Sequence, residues 1–484
     1  MYTILDCYTD EAAGLGVPPY LGVYPRYIAG KLKGKVNYIT IDDLRLFKLY
    51  NGKEKVPKLS EKTQITTYNL TNNDVSKVLA KTKELIVVLG VHVPGKYLSA
   101  MPGTLREVSR LLEDVKCKKI LTGPAVFGSQ LEGGRFSEVV KEGDFSKIDF
   151  NLYRFNLKEI KDYSVKGAKK IFKQIPDLRM IEIETGRGCD VGTCSFCLEP
   201  LKNKVEYRKK EDILKEIETF YDLGARYFRL GKQNCFYSYP EAVELLKEIN
   251  KNFKEIKVLH IDNVNPVKVV SKKGVEITKA IVNYCTSGNV AAFGVESFDI
   301  DVVKGNTLNC SPGIALEAIK IINKYGKEKG KDGLPKFLPG INLIFGLKNE
   351  NKKTHEENMK YLRKVIDSNL LLRRINIRQV TVLPGTKLWK EVGNKFLRKN
   401  KKYYWKWRNE IRQKIDNKML AKVAPQGTVL KDCYSEIYDG NTTFLRQFGS
   451  YPLVIGVKGR LKLKKFYNVK VNGYMLRSLK GEVV

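Results

Sequence analysis

The chain has 484 residues, 43% hydrophobic and 29% charged, which is long enough for several domains with cores of their own and excludes a disordered chain. With 87 Lys and Arg against 53 Asp and Glu the formal charge is +34, a field that attracts polyanions, nucleic acid first. The start, MYTILDCYTDEAAG, has no basic segment followed by an apolar run, and the apolar runs at 85–91 and 341–347 are too short for a bilayer; a cytoplasmic protein with no membrane partner is expected. Nine cysteines in such a chain point to bound metal rather than to disulfides.

Residues 1–165 carry four strand signals, YTILDCY, KVNYITI, ELIVVLG and KKILTGPAV, with TLREVSRLLEDV as a helix between the last two. A Rossmann-like, doubly wound α/β domain is predicted. From 176 to 390 short apolar runs alternate with amphipathic stretches. The runs are IEIETG (181–186), YFRLG (227–231), VLHIDNV (258–264), AAFGVES (291–297), GINLIFG (340–346) and INIRQVTV (375–382). Between the first two, Ile213, Leu214, Ile217, Phe220 and Tyr221 recur at helical spacing and Gly224 is the stop. Repeated strand–helix units give a parallel sheet with right-handed crossovers, and six of them suit a partial (β/α)6 barrel of TIM type, with its chemistry on loops after the C-terminal strand ends. Residues 391–420 read as a basic helical linker. Residues 421–484 read as a small OB-like β-barrel, from short β runs and the turn signals YDGN (438–441) and VNGY (471–474).

The loop leaving the first barrel strand, ETGRGCDVGTCSFCLEP, places Cys189, Cys194 and Cys197 at Cys-x4-Cys-x2-Cys spacing. Three soft thiolates on a glycine-rich loop can hold three irons of a 4Fe–4S cluster and leave the fourth iron open. A structural zinc site needs a fourth ligand, and the next cysteine, Cys235, belongs to a different strand and loop.

These residues resemble the radical-SAM superfamily, whose usual spacing is one residue shorter in the first gap. The resemblance implies that the open iron takes the amino and carboxylate groups of S-adenosylmethionine, and that reductive cleavage gives a 5′-deoxyadenosyl radical with an electron from a donor such as ferredoxin or flavodoxin. It also implies roles for further residues. Phe196 takes the aromatic position near the adenine, where a core aromatic is the alternative. Gly231, Lys232 and Gln233 receive the methionine end, Glu296 and Ser297 meet the ribose or methionine, and Arg378 and Gln379 leave the sixth strand. The stretch GLKNENKKTHEEN (346–358) resembles the family's GLPGET, with Lys348 and Asn349 in place of Pro and Gly.

The last residues, VLKDCYSEIYDGNTTFLRQFGSYPLVIGV and FYNVKVNGYMLRSLKGEVV, resemble the TRAM domain that follows this barrel in tRNA methylthiotransferases. That resemblance implies RNA binding, with tRNA as partner, through Tyr438, Arg446, Lys458, Arg460, Lys462 and Arg477. The alternative is a packing or dimerisation module. Ahead of it, FLRKNKKYYWKWRNEIRQK (396–414) interleaves cations with Tyr403, Tyr404, Trp405 and Trp407, which either stack on unpaired bases or pack inward. The first domain departs from the methylthiotransferases. It has only Cys7 and Cys117, so the three-Cys set for a second cluster is missing. Its layout also resembles cobalamin-binding domains, yet no Asp-x-His-x-x-Gly is present and His92 is its single histidine. The expectation is a radical-SAM enzyme that modifies an RNA nucleoside. The alternatives are a cobalamin-dependent methyltransferase acting on a small molecule or protein, or an RNA-binding protein with a structural cluster.

Overall fold

The computed structural model describes residues 1–8, 20–50, 69–90, 102–127 and 145–484. The chain divides into two compact units: Met1–Ile183 with Lys209–Phe228 and Glu436–Gly440, and Glu184–Arg208 with Arg229–Ser435 and Asn441–Val484. Among the described residues no helix is long and apolar enough to cross a membrane.

The first unit is built on β1 (Tyr2–Asp6), β2 (Tyr20–Leu21), β3 (Val36–Thr40), β4 (Glu84–Val88), β5 (Lys118–Thr122) and β6 (Lys147–Ile148). Five of these form a parallel sheet in the order β3-β1-β4-β5-β6. Their runs are almost wholly buried, as strands covered on both faces must be. The order is doubly wound and reverses between β1 and β4, the place where such sheets open a crevice at the C-terminal strand ends. Cys7 follows β1 at that edge, whereas Cys117 precedes β5 at the opposite edge. The two thiols are thus separated by the length of a five-residue strand, about 17 Å, and cannot share a cluster. His92 lies outside the described residues.

The barrel strands are β7 (Met180–Glu184), β10 (Tyr227–Gly231), β11 (Val258–Ile261), β12 (Asn263–Val264), β13 (Asn289–Glu296), β14 (Phe337–Phe345) and β15 (Arg374–Gln379); β8 (Gly186–Arg187) and β9 (Glu206–Tyr207) form a small antiparallel pair in the loop after β7. One sheet has the order β11-β10-β7-β2 and the other β12-β13-β14-β15. Only Asp262 separates β11 from β12, so the predicted run 258–264 is one strand kinked at that residue, and the six expected strands make an open barrel of TIM type. Crossover helices occupy the predicted gaps. Lys210–Asp222 buries Ile213, Ile217 and Phe220 on one face, and Gly224, at φ +99°, ends it in the left-handed region.

The closing residues form β16 (Val429–Asp439), β17 (Thr442–Gln447), β18 (Val454–Lys458), β19 (Phe466–Tyr474) and β20 (Leu479–Val483), a closed barrel in the order β16-β17-β18-β20-β19. β18 and β20 run parallel while the other recorded pairs run antiparallel, as in an OB-like barrel. The signal YDGN is the turn between β16 and β17. VNGY is not a turn. It lies inside β19, where the register with β20 shifts between Val471 and Gly473, so the Asn-Gly pair is a β-bulge.

Candidate functional site

The site is built within the second unit, at the C-terminal ends of the barrel strands. The loop after β7 carries the three cysteines, and two of their sulfurs accept a backbone N–H. Gly192 donates to Cys189 Sγ at 3.4 Å and Glu199 donates to Cys197 Sγ at 3.4 Å. Amide-to-sulfur bonds of this kind surround iron–sulfur clusters and tune them. Burial pushes the Cys194 thiol up to about 12, with smaller contributions from Glu296 and the other two thiols, and burial also raises Cys197. Neutral buried thiols become good ligands once metal charge displaces their protons. Among the described residues no three His, Cys, Asp or Glu side chains converge as one metal ion would require. A cubane makes no such demand, because each thiolate binds a different iron.

The cysteine loop is held from the side by the segment after β13. Ser195 N–H donates to Asn306 O at 2.9 Å and Ser195 Oγ donates to Asn306 Oδ1 at 2.8 Å. Asn306 is fully buried, donates through Nδ2 to Val302 O and Lys348 O, and accepts from Lys348 N–H. Leu388 N–H donates to Ser195 O at 2.8 Å. Loops after four different strands therefore meet at Ser195 and Asn306. Sequence reading missed Asn306, and no local pattern marks it, since its partners lie 42 and 111 residues away.

The other strand ends present buried polar atoms with no protein partner. Thr185 Oγ1, both amide atoms of Gln233 and Glu296 Oε2 have none. Gln233 is 2% exposed and Thr185 0%. Thr185 is a second residue that sequence reading missed, although it lies four residues before the first cysteine. Lys232 (φ +67°) and Glu296 (φ +64°) are non-glycine residues in the left-handed region, the kind of strain that collects at functional sites. At Glu296 the pairing of β13 with β14 also shifts register, a bulge that re-aims the side chain. Gly294 leaves the room for it, since a Cβ there would lie 3.0 Å from Glu296 Oε1. Burial pushes the Glu296 carboxyl up to about 8, partly offset by Arg378 on β15. Gly231 closes β10 and accepts from Thr185 N–H at 3.3 Å. Ser297 Oγ accepts from Asp299 N–H, so it organises its own turn. Phe196 is half-buried and packs on the apolar cluster that contains Val302, Leu347 and Leu388. Gln379 is exposed, and Lys348 pairs with Glu391 at 2.7 Å.

The residues read as RNA contacts separate into two groups. Trp405 is 63% exposed beneath the Arg408 guanidinium, and Lys458, Arg460, Lys462 and Arg477 are exposed. Tyr438 is half-buried on β16. Two expectations are corrected. Trp407 is a core residue, 5% exposed and stacked on His355 and Tyr403, because Asn400, Tyr404, Trp407 and Ile411 form the buried stripe of the helix Lys395–Ile411. Arg446 is 0% exposed, because the second half of β17 is covered on both faces.

The class of protein that this barrel and its cysteine loop define is matched by sequence: residues 183–362 fit the Radical SAM superfamily. The chain belongs to the same family as the uncharacterized protein MJ0274 of Methanocaldococcus jannaschii, which is 41% identical over 532 residues, spanning 99% of this chain and 93% of that one. The ribosomal protein uS12 methylthiotransferase RimO of Clostridium botulinum is 20% identical over 84% of this chain and 90% of its own. Among solved structures, the radical S-adenosylmethionine methyltransferase TsrM from Kitasatospora setae, with cobalamin and a [4Fe-4S] cluster bound, aligns with a TM-score of 0.46 at 9% identity, over 78% of this chain and 71% of that one. A Radical SAM domain over residues 183–362 supports an enzyme that uses a 4Fe–4S cluster and S-adenosylmethionine.

Proposed function

We propose that Cys189, Cys194 and Cys197 hold the 4Fe–4S cluster, that S-adenosylmethionine binds between this loop and the strand ends, and that the enzyme modifies an RNA nucleoside, with tRNA as the leading substrate. The observation that carries the reading is the set of four buried, unpartnered polar atoms on Thr185, Gln233 and Glu296 at the strand ends that carry the three-cysteine loop, two of whose sulfurs accept backbone amides. A buried polar atom without a partner costs about 1–3 kcal/mol, and a ligand rich in amine, carboxylate and hydroxyl groups would supply the missing bonds. When bound, the cluster and S-adenosylmethionine supply one-electron cleavage to a carbon radical. The protein's part is orientation and exclusion of water: Gln233 and Thr185 offer hydrogen bonds to the methionine end, Glu296 accepts from a hydroxyl or amine, and Arg378 holds charge opposite Glu296.

The RNA half of the reading is supported by the OB-like barrel, by exposed cations at Lys458, the last residue of β18, and at Arg460, Lys462, Lys464 and Lys465 between β18 and β19, and by exposed Trp405. The reversal of strand order beside β1 keeps cobalamin-dependent methylation as the second reading, since crevices at such points take large cofactors. The test is anaerobic reconstitution with reductant and S-adenosylmethionine. Formation of 5′-deoxyadenosine, lost in the Cys189→Ala, Cys194→Ala, Cys197→Ala triple variant together with the roughly four irons per chain, is expected. Iron retained by the triple variant would sink the cluster assignment. Mass spectrometry of RNA from cells lacking the protein names the nucleoside, and stoichiometric cobalamin in the purified protein would favour the second reading.

A further inference from the structure

We infer that the loop joining β17 to β18 forms the floor of the radical-SAM barrel, and that Tyr451 in it is a positioning residue for the side chains at the barrel's mouth. Loops of small barrels normally run over the surface. This one is buried: Phe448 is 7% exposed, Ser450 1%, Tyr451 8% and Leu453 4%. The Tyr451 ring packs on Val290 and Ala292 of β13, and the Arg374 guanidinium lies 4.3 Å from its centroid. Its hydroxyl donates to Asp262 Oδ1 at 3.1 Å, and Asp262 is paired with Arg229 of β10. Its carbonyl accepts from Arg373. Next to it, Ser450 N–H donates to His260 Nδ1 at 3.1 Å, which fixes the tautomer, so His260 Nε2–H donates to Ser287 O at 2.9 Å. Gly449 is required for this approach, since a Cβ there would lie 2.9 Å from the His260 ring.

These contacts are distributed in register with the site. Arg229, Ala292 and Arg374 each lie four residues before Gln233, Glu296 and Arg378, on the same strand or its exit. Four residues of strand, or of strand and its exit, up to about 13 Å, therefore link each floor contact to a mouth residue. The kink at Asp262, between β11 and β12, is bonded by the Tyr451 hydroxyl itself. Buried Arg229 and half-buried Arg374 both face this ring, and Arg229 also pairs with the ring's carboxylate partner Asp262, so a change at Tyr451 bears on the strands that carry the mouth. A stretch of the C-terminal barrel thereby completes the enzyme's barrel. Residues 421–484 are not a removable appendage.

The inference rests on the cofactor reading above, and its test separates the two. Full-length wild type, Tyr451→Phe and Tyr451→Ala are reconstituted anaerobically. Iron per chain, melting temperature and S-adenosylmethionine affinity are measured, the last by the change it causes in the electron paramagnetic resonance spectrum of the reduced cluster. Tyr451→Phe, which loses one hydroxyl and keeps the ring, is expected to retain iron and melting temperature but to bind S-adenosylmethionine about fivefold more weakly, within the range that packed networks transmit between sites. Tyr451→Ala is expected to bind it more weakly still. If both variants titrate like wild type, whether or not they melt earlier, the loop is a structural joint only and the inference is overturned. If wild type itself shows no spectral response to S-adenosylmethionine, the cofactor reading fails first and the inference falls with it.

Discussion

Asn306→Ala tests whether the cysteine loop is pre-formed by its neighbour rather than by the metal. The side chain makes four hydrogen bonds of 2.8–3.2 Å, to Ser195, Val302 and both backbone groups of Lys348, in a fully buried position. Truncation leaves the Lys348 N–H and the Ser195 hydroxyl without that acceptor, and each buried orphan costs ~1–3 kcal/mol, so a total of about 3 kcal/mol is expected. Set against a typical folding stability of ~5–15 kcal/mol, that is a large loss concentrated on one loop. Asn306→Asp should be worse. It keeps the acceptor but turns an anionic oxygen toward the Val302 and Lys348 carbonyls. The assay is anaerobic urea unfolding of the apo chain together with iron retention after gel filtration. Thr193→Ala serves as control, since it removes only an exposed bond to Thr307 O. The reasoning is refuted if Asn306→Ala unfolds within about 0.5 kcal/mol of wild type, the range of an ordinary surface change, and keeps its full iron.

Trp405 and Trp407 should part company. Trp405→Ala is expected to weaken tRNA binding by ~1–3 kcal/mol at unchanged melting temperature, whereas Trp407→Ala should destabilise the fold by ~3–5 kcal/mol; parallel titration and thermal melts check both. His260, which burial lowers to about 4 from an ordinary 6.5, should make stability fall as pH falls through that window, because there the unfolded chain binds a proton that the folded chain refuses. The slope from this one group is at most ~1.4 kcal/mol per pH unit. Denaturation of the apo chain from pH 7 to 4 should show it, and His260→Ala, though less stable throughout, should show it less. Tight tRNA binding by the wild type is expected to weaken steeply with added salt, as phosphate contacts require, and a flat dependence in a filter-binding titration would remove RNA as the partner.

The barrel strands and the cysteine loop were legible because their signals are local: apolar runs of strand length, helical spacing between them, and three thiols within nine residues. What escaped was what depends on distant partners. Asn306 and Tyr451 look like ordinary loop residues, and their roles come from groups 111 and 189 positions away. Trp407 is different, because its signal was present. Tyr404, Trp407 and Ile411 at spacings of three and four mark a buried stripe, and the interleaved lysines drew attention from it. Arg446 could not be placed from sequence, since a strand covered on both faces shows no alternation to read.

The buried polar side chains at the mouth of the barrel yield the sharpest test of the site. At the mouth Thr185, Gln233 and Glu296 keep buried atoms unpartnered, and Lys232 and Glu296 add left-handed backbone at ~1–3 kcal/mol each. A sequence selected for stability alone would fill the mouth with apolar side chains of the same shape. Thr185→Val makes that change at one position, replacing a hydroxyl by a methyl group of nearly equal volume where the hydroxyl is 0% exposed and has no partner. The apo chain should therefore become more stable, by about 1 kcal/mol, since a desolvated hydroxyl no longer has to be buried. S-Adenosylmethionine affinity should fall by about tenfold for the one hydrogen bond lost to the ligand. Stability gained together with affinity lost is the signature of a group held for a ligand. Urea unfolding of the apo chain and ligand titration of the reconstituted chain measure the two separately. A variant that loses stability while binding S-adenosylmethionine like wild type would place Thr185 in the scaffold and remove it from the site.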